Sequence, residues 1–135
     1  MVTVTHLLDT NVLIQILRGK GHQIVQQLET KSPGTIAISS ISLGELALGA
    51  HLSEKETERL RVARLIQDFV RVPFSEKEAW SYGEIRGNLH KKGTPIGQLD
   101  MLIGAVAKAN DWILVTHNQK EFSRIQGLRY EDWQS

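Results

Sequence analysis

The stretch HLLDTNVLI, residues 6–14, contains the change of pattern that decides the fold. Residues Val2 to Leu8 are apolar and β-branched enough for a buried strand, and the residues that follow have the apolar spacing of a helix. Asp9 and Thr10 stand at the change and can cap a helix from Asn11 to about Leu17. A carboxylate at this point can cap the helix or bind a metal ion, and the stretch alone leaves both interpretations open.

The rest of the chain alternates between short apolar runs and longer segments with helical spacing. Further strands are predicted at residues 35–39, 70–73, 112–116 and 128–131. Helices are predicted at residues 23–29, 42–52, 53–69, 75–92 and 99–108, with a short turn or helix at 119–122. Strands that alternate with helices predict an α/β fold with a parallel sheet of about five strands, covered on both faces.

Length and composition restrict the class of protein. The 135 residues suit one compact domain, so the whole chain, residues 1–135, is expected to form a single domain. The chain has no cysteine, no apolar run of membrane-spanning length and no signal-peptide pattern at its start, which together favour a cytoplasmic location. Because the formal net charge is only +1, nucleic-acid binding would need a local basic patch.

Three polar side chains besides Asp9 occupy unexpected positions. Glu45 lies on an apolar helix, where a carboxylate is costly unless it is paired, protonated or metal-bound, although Ser42 to Glu45 also matches a capping box. Asp100 opens another apolar helix, where it could simply complement the helix N-terminus. Asn118 follows a strand and could be an ordinary turn residue.

The topology makes a shared site more plausible than separate roles for these residues. A parallel sheet brings the carboxyl ends of its strands to one edge, where we expect Asp9, Glu45 and Asp100 to converge. Carboxylates without cysteine or histidine favour hard cations, Mg²⁺ first and Mn²⁺ as the alternative, and such ions commonly serve phosphoryl chemistry. Basic residues that could contact phosphates lie at the C-terminal end of one predicted helix; they are Arg86, His90, Lys91 and Lys92. The charges of the predicted helix 53–69 alternate in sign and indicate a solvated face.

Four stretches occur in an order that resembles one known family. They are LLDTNVLI at residues 7–14, ISSISLGELALGA at 38–50, GTPIGQLDMLIGAVA at 93–107 and ILVTHNQKEFSRIQGLRYEDW at 113–133. The order resembles that of PIN-domain ribonucleases, and in particular of the VapC-type toxins of bacterial VapBC toxin–antitoxin pairs. The resemblance covers nearly the whole chain, and it implies a PIN-like three-layer α/β/α sandwich.

The resemblance also assigns roles to residues. It places the acidic, metal-binding site on Asp9, Glu45 and Asp100, with Asn118 at a fourth catalytic position where many members have an acid. An asparagine there supplies no charge, which argues against a second tightly bound metal ion. The resemblance gives supporting roles to polar neighbours of these residues, namely Thr10, Asn11 and Thr116. The candidates for binding RNA come from the basic cluster described above and are Arg86, Lys91 and Lys92.

The activity that the resemblance implies is that of a Mg²⁺-dependent endoribonuclease. Members cut structured RNA, often tRNA, and slow translation; they are typically dimers and are bound by a VapB-like antitoxin in a larger complex. The expected chemistry is attack of water on phosphorus with departure of the 3′ oxygen, which leaves 5′-phosphate and 3′-hydroxyl ends.

Three other functions fit parts of the pattern. A phosphatase of the haloacid dehalogenase type also has an acid after its first strand, but it needs a second Asp two positions later, where this chain has Asn11. A receiver-like signalling domain would need an early acidic pair, which LLDTN lacks. A PIN-like module that binds RNA without cutting it fits every motif, and only a cleavage assay distinguishes it from a ribonuclease.

Overall fold

The computed structural model describes residues 2–134, which form helices and strands in alternation. The strands are β1 (His6–Leu8), β2 (Ile36–Ser39), β3 (Val70–Val72), β4 (Ile113–Val115) and β5 (Tyr130–Glu131). The helices are α1 (Thr10–Leu17), α2 (His22–Glu29), α3 (Ser40–Ser53), α4 (Glu56–Ile66), α5 (Glu76–Lys92), α6 (Gln98–Asn110) and α7 (Gln119–Phe122). The predicted alternation is therefore confirmed, with strands that are mostly shorter than the sequence pattern suggested.

All five strands join one parallel sheet in the order β3-β2-β1-β4-β5. Strand β1 lies at the centre, where His6 is in register with Ile36 of β2 on one side and with Ile113 of β4 on the other. The chain first builds the sheet outward from β1 through β2 to β3 and then crosses to β4. This change of direction creates a switch point beside β1, the place where α/β sheets hold their sites.

Helices cover the sheet on both faces, as the three-layer prediction requires. Successive strand residues point to opposite faces, so Leu7 and Leu8, both fully buried, belong to different cores. Leu7 packs with residues of α5, α6 and α7, whereas Leu8 packs with residues of α1, α2, α3 and α4. In the part of the chain that the structure describes, no helix is both long and apolar enough to cross a lipid bilayer.

Helices α5 and α6 run antiparallel and are joined at one end by a buried carboxylate. Glu78, only 1% exposed, accepts hydrogen bonds from the backbone N–H of Ser75 at 2.8 Å and from Nδ2 of Asn110 at 3.0 Å. Burial alone would raise the pKa of the Glu78 carboxyl, but the hydrogen bonds from Ser75 and Asn110 outweigh it, and the pKa is lowered. The start of α5 is thus fixed to the end of α6, which places the end of α5 beside the start of α6.

Replacing Glu78 with Ala is expected to destabilise the fold by about 2 kcal/mol, because it removes a cap and leaves the Asn110 amide with one partner fewer. Urea unfolding monitored by circular dichroism measures this. The control is Glu76→Ala in the same first turn, where the side chain is exposed and little change is expected. Equal losses in the two variants would show that the buried contacts add nothing.

Candidate active site

The side chain of Asp9 is a buried carboxylate at the switch point beside β1. It is only 2% exposed, and its two oxygens accept hydrogen bonds from the Thr10 backbone N–H and from the Thr116 hydroxyl, each at 2.8 Å. Burial raises its pKa, the nearby charge of Glu45 adds to this, and the two hydrogen bonds partly oppose it. Asp9 does cap α1, but only through its first amide, so helix capping does not account for a buried charge at this position.

Glu45 also faces this end of the sheet, and it takes no part in a capping box. Helix α3 begins two residues earlier than predicted, at Ser40, and its N-cap is Ser39, whose hydroxyl accepts from the Ser42 backbone N–H at 3.1 Å. The capping interpretation of Ser42 and Glu45 is therefore wrong. Glu45 lies in the second turn of α3, where its Oε1 accepts a hydrogen bond of 2.7 Å from the Thr10 hydroxyl.

A row of hydroxyl groups fixes the Glu45 carboxylate against α1. The Thr10 hydroxyl gives its only hydrogen to Glu45, so in its 2.8 Å contact with the Ser42 hydroxyl it must be the acceptor. The Ser39 hydroxyl in turn donates to that of Ser42 at 3.4 Å. Ser39, Ser42 and Thr10 are all buried, and their donors point one after another toward the carboxylate. This arrangement supports the predicted supporting role of Thr10, whereas Asn11 is exposed on α1.

Asp100 lies in the first turn of α6, half-buried, with Asn118 beside it. Nδ2 of Asn118 donates to Oδ2 of Asp100 at 3.3 Å, and the Asn118 backbone N–H donates to the Thr116 hydroxyl at 3.0 Å. Thr116 therefore contacts both Asp9 and Asn118. Burial, followed by the charges of Asp9, Glu121 and Glu45, raises the pKa of Asp100 to about 6, although the Asn118 hydrogen bond opposes the shift.

Glu121 is a fourth acid that the sequence reasoning missed. It lies in the first turn of α7, half-buried, and its charge contributes to the raised pKa of Asp100. The resemblance placed the fourth position on Asn118, three residues after β4, and the prediction concluded that its charge was missing. One helical turn separates the two residues, so the short predicted helix at 119–122 was the signal that could have identified Glu121. Asn118 orients Asp100, and Glu121 supplies the fourth negative charge near it.

The four carboxylates concentrate negative charge at this end of the sheet, but they do not surround a metal-ion position. Within residues 2–134, no three acidic or histidine side chains stand close enough together to enclose an ion by themselves. The expected tight convergence of Asp9, Glu45 and Asp100 is therefore not found. Mg²⁺ usually keeps several waters and is held by one or two carboxylates together with substrate phosphates. The donor set, oxygen ligands only, with excess negative charge, fits an ion bound in that open manner.

The basic residues predicted to bind RNA lie one loop away from the acids. His90, Lys91 and Lys92 are exposed in the last turn of α5, and residues 93–97 connect that turn to the start of α6, which carries Asp100. Arg86 is also exposed on α5, but its guanidinium donates to the Tyr82 hydroxyl and lies 5.9 Å from the centre of that ring.

Known proteins resemble this chain over nearly its full length. The profile of the PIN domain family matches residues 6–128. Ribonuclease VapC2 of Rickettsia felis is 38% identical over 130 residues, which cover 95% of this chain and 97% of that protein. The tRNA(fMet)-specific endonuclease VapC of Shigella flexneri is 34% identical over 131 residues, covering 94% of this chain and 96% of that one.

Solved structures resemble the fold equally well. The toxin–antitoxin complex VapBC2 of Rickettsia felis, bound to a DNA fragment from its promoter, contains a chain that superposes with a TM-score of 0.87 at 35% identity, covering 98% of this chain and 99% of that one. VapBC-1 of nontypeable Haemophilus influenzae contains one with a TM-score of 0.88 at 30% identity, and the match covers 100% of both chains. The chain therefore belongs to the PIN domain family, and within it to the VapC ribonucleases.

Proposed function

We propose that the protein is a divalent-metal-dependent endoribonuclease that acts as the toxin of a type II toxin–antitoxin pair. The observation that carries the proposal is the group of acids at the switch point, Asp9, Glu45, Asp100 and Glu121, in which burial, followed by the charges of the other three acids, raises the pKa of Asp100 to about 6. Ionisable groups whose pKa values are shifted by burial and by neighbouring charges are typical of a functional site. Membership of the VapC ribonucleases supports phosphodiester hydrolysis as that function.

Nucleases with a PIN domain generally depend on a divalent metal ion. In this chain Asp9, Asp100 and Glu45 would hold the ion, directly or through water, and we propose Mg²⁺, with Mn²⁺ as the alternative. A bound ion lowers the pKa of a water molecule and neutralises charge on the phosphate that is attacked. Glu121 would add, beside Asp100, the negative charge that Asn118 does not supply.

The chain's own residues position the reacting groups. Thr116 holds Asp9 and, through the backbone of Asn118, also sets the position of the Asn118 amide that orients Asp100. Thr10 holds Glu45. Water attacks phosphorus, the bond to the 3′ oxygen breaks, and that oxygen takes up a proton. The products have 5′-phosphate and 3′-hydroxyl ends, and the reaction needs no 2′-hydroxyl.

The partners we propose follow from the relatives. The substrate is structured RNA, with tRNA as the first candidate because one relative is a tRNA(fMet)-specific endonuclease. The solved relatives are VapBC complexes, so we propose a VapB-like antitoxin as the protein partner. We further propose a homodimer that joins the antitoxin in a larger assembly.

Purified protein incubated with tRNA in Mg²⁺ and in EDTA tests the proposed function. We expect discrete cuts in Mg²⁺ and none in EDTA. The assay must also measure RNA binding, because a module that binds RNA without cutting it is the remaining alternative. Tight binding with no cutting in Mg²⁺ or Mn²⁺ would favour that alternative.

The basic turn at the end of α5 is expected to contact RNA phosphates. Replacing Arg86, Lys91 and Lys92 with Gln should weaken RNA binding and flatten its dependence on salt, by roughly 0.7–0.9 in the slope for each phosphate that is no longer neutralised. Since Arg86 already contacts Tyr82, most of the change should come from the two lysines. Binding measured by fluorescence anisotropy at several salt concentrations gives the slope.

A matched control removes three charges elsewhere. The control residues are all exposed: Lys55 is the N-cap of α4, and Arg59 and Arg64 lie on that helix. Helix α4 covers the face of the sheet opposite to the one that α5 covers. Changing them to Gln alters the net charge equally and should leave the slope unchanged. If both triple variants flatten the slope alike, the effect is one of net charge, and the end of α5 is not a specific contact.

A further inference from the structure

One arginine connects the missed acid to the loop before α6. Nη1 of Arg124 donates to the Pro95 carbonyl at 2.9 Å and lies 3.4 Å from Oε2 of Glu121. Pro95 lies in the connection between α5 and α6, and Glu121 lies on α7. A single guanidinium group thus links two elements that border the acidic site. Arg124 comes directly after Ser123, the C-cap of α7, and its backbone N–H donates to the Glu121 carbonyl at 3.2 Å.

Besides Arg124, the loop is attached by one buried side chain and by a hydrogen bond of 3.0 Å from the Thr94 backbone N–H to the Leu89 carbonyl of α5. Residues 93–97 are exposed except for Ile96, which is 8% exposed. Gly93 adopts the left-handed conformation, with φ of 67°, that ends α5. Gly97 is the N-cap of α6 and supplies no side-chain cap. The start of α6 is held by the buried side chains of Ile96 and Met101, by the Asn118 hydrogen bond to Asp100 and, through Pro95, by the Arg124 hydrogen bond.

The position of this helix start decides where Asp100 lies. Asp100 follows the N-cap Gly97 by three residues, and a Cβ added at Gly97 would lie 3.5 Å from Oδ2 of Asp100. A shift of the loop would therefore move the Asp100 carboxylate relative to Asp9 and to the Asn118 amide. Displacements of about 1 Å at a reacting group can reduce a rate about 100-fold.

We propose that Arg124 is a positioning residue for the cleavage reaction: it fixes the loop at residues 93–97, and so Asp100, while it holds Glu121 toward the site. The proposal rests on the proposed ribonuclease function. It assigns Arg124 no contact with RNA. Arg124 acts through the two groups it touches, Pro95 and Glu121, and its effect is on the rate of the chemical step and not on substrate binding.

The chain offers a close control for this arginine at the other end of α6. Nη2 of Arg129 donates to the Asp111 carbonyl at 2.7 Å and to Oδ1 of that residue at 3.1 Å. Asp111 is the C-cap of α6. Arg129 thus also joins a backbone carbonyl and a carboxylate at an end of this helix, but it does so at the end opposite to Asp100. Arg129→Ala removes the same kind of interaction without touching the site.

The test compares Arg124→Ala, Arg124→Lys and Arg129→Ala with the unchanged protein in two measurements. Amide hydrogen exchange, followed by mass spectrometry without RNA or metal, should become at least about tenfold faster at residues 93–101 in Arg124→Ala, faster to a smaller degree in Arg124→Lys, and unchanged in Arg129→Ala. Steady-state cleavage of RNA should show kcat lowered about ten- to 100-fold in Arg124→Ala, with KM within about twofold and the salt dependence of binding unchanged. Arg124→Lys keeps the charge but has a shorter, point-like head, so it should stay impaired in kcat.

Three results would overturn the proposal. Unchanged exchange at residues 93–101 would show that Arg124 does not hold the loop. A raised KM with a flatter salt slope, largely restored by Arg124→Lys, would make Arg124 a phosphate contact. An equal loss of kcat in Arg129→Ala would reduce the effect to general stability. Because the exchange measurement needs no activity, it tests the positioning even if the unchanged protein proves not to cut RNA.

Discussion

Asp9→Asn is expected to lower the rate of RNA cleavage about 1,000-fold or more while the protein stays folded. The variant removes the charge of the central carboxylate but keeps its shape, because the amide oxygen can accept from the Thr10 N–H while the amide nitrogen donates to the Thr116 hydroxyl. Stabilisation of phosphoryl chemistry by a metal ion is worth several kcal/mol, and every 1.36 kcal/mol is a factor of ten in rate. Single-turnover cleavage of labelled RNA measures the loss.

The stability of this variant separates a site residue from a structural one. Burial raises the pKa of Asp9, so the charged form is unfavourable in the metal-free fold. We therefore expect Asp9→Asn to melt no lower than the unchanged protein in EDTA. Asp68→Asn, at an exposed position, is the control for a charge removed elsewhere and should leave both rate and melting temperature unchanged. Rapid cleavage by the Asp9→Asn variant would show that Asp9 only caps α1 and takes no part in catalysis.

Asp100→Asn is expected to raise the melting temperature in EDTA at neutral pH, by roughly 3 °C or more. The pKa of Asp100 is about 6 in the fold against an ordinary value of 3.8. Between these values the folded state holds the proton more tightly than the unfolded chain, so stability falls as pH rises from about 4 to about 6 and stays reduced above. Asparagine carries no charge and avoids this loss. Because Asp100 is only half-buried, solvent screening reduces the effect below what the pKa alone suggests.

Melting curves with and without Mg²⁺ distinguish two roles for Asp100. If Asp100 helps to hold an ion, Mg²⁺ stabilises the unchanged protein more than the variant, and the EDTA difference disappears near pH 4. If Asp100 chiefly complements the start of α6, the variant melts lower in EDTA, since a favourable charge worth about 0.3–1 kcal/mol is lost. In that case Mg²⁺ shifts the melting temperatures of both proteins equally, and Asp100 is not part of the proposed site.

The sequence predicted the fold, and that Asp9 and Asp100 lie at the same end of the sheet, because both depend on the order of elements. Asp9 ends a central strand and Asp100 starts an apolar helix, and in a parallel sheet these points lie at the same edge. The family resemblance, which the comparisons confirm, rested on the same motifs. That residues 1–135 form one domain and lie in the cytoplasm stays a prediction.

The sequence could not show which of several nearby polar groups makes a given hydrogen bond. Ser39 and Ser42 can each cap α3, and the choice depends on where β2 ends in the sheet. The predicted helix from Ser53 begins only at Glu56, with Lys55 as its N-cap. Similarly, spacing alone did not show that Glu121 turns toward Asp100.

The most direct test of the account is the chemistry of the RNA ends. RNA cut by the purified protein in Mg²⁺ is ligated to adapters that accept only 5′-phosphate or only 3′-hydroxyl ends, and Asp9→Asn protein serves as the control for contaminating nucleases. We predict that the new ends are 5′-phosphate and 3′-hydroxyl, that they depend on the divalent ion, and that they disappear with the variant. Cyclic 2′,3′-phosphate ends, or full cleavage in EDTA, would contradict the account, because both would mean that the acids at the end of the sheet do not activate water with a metal ion.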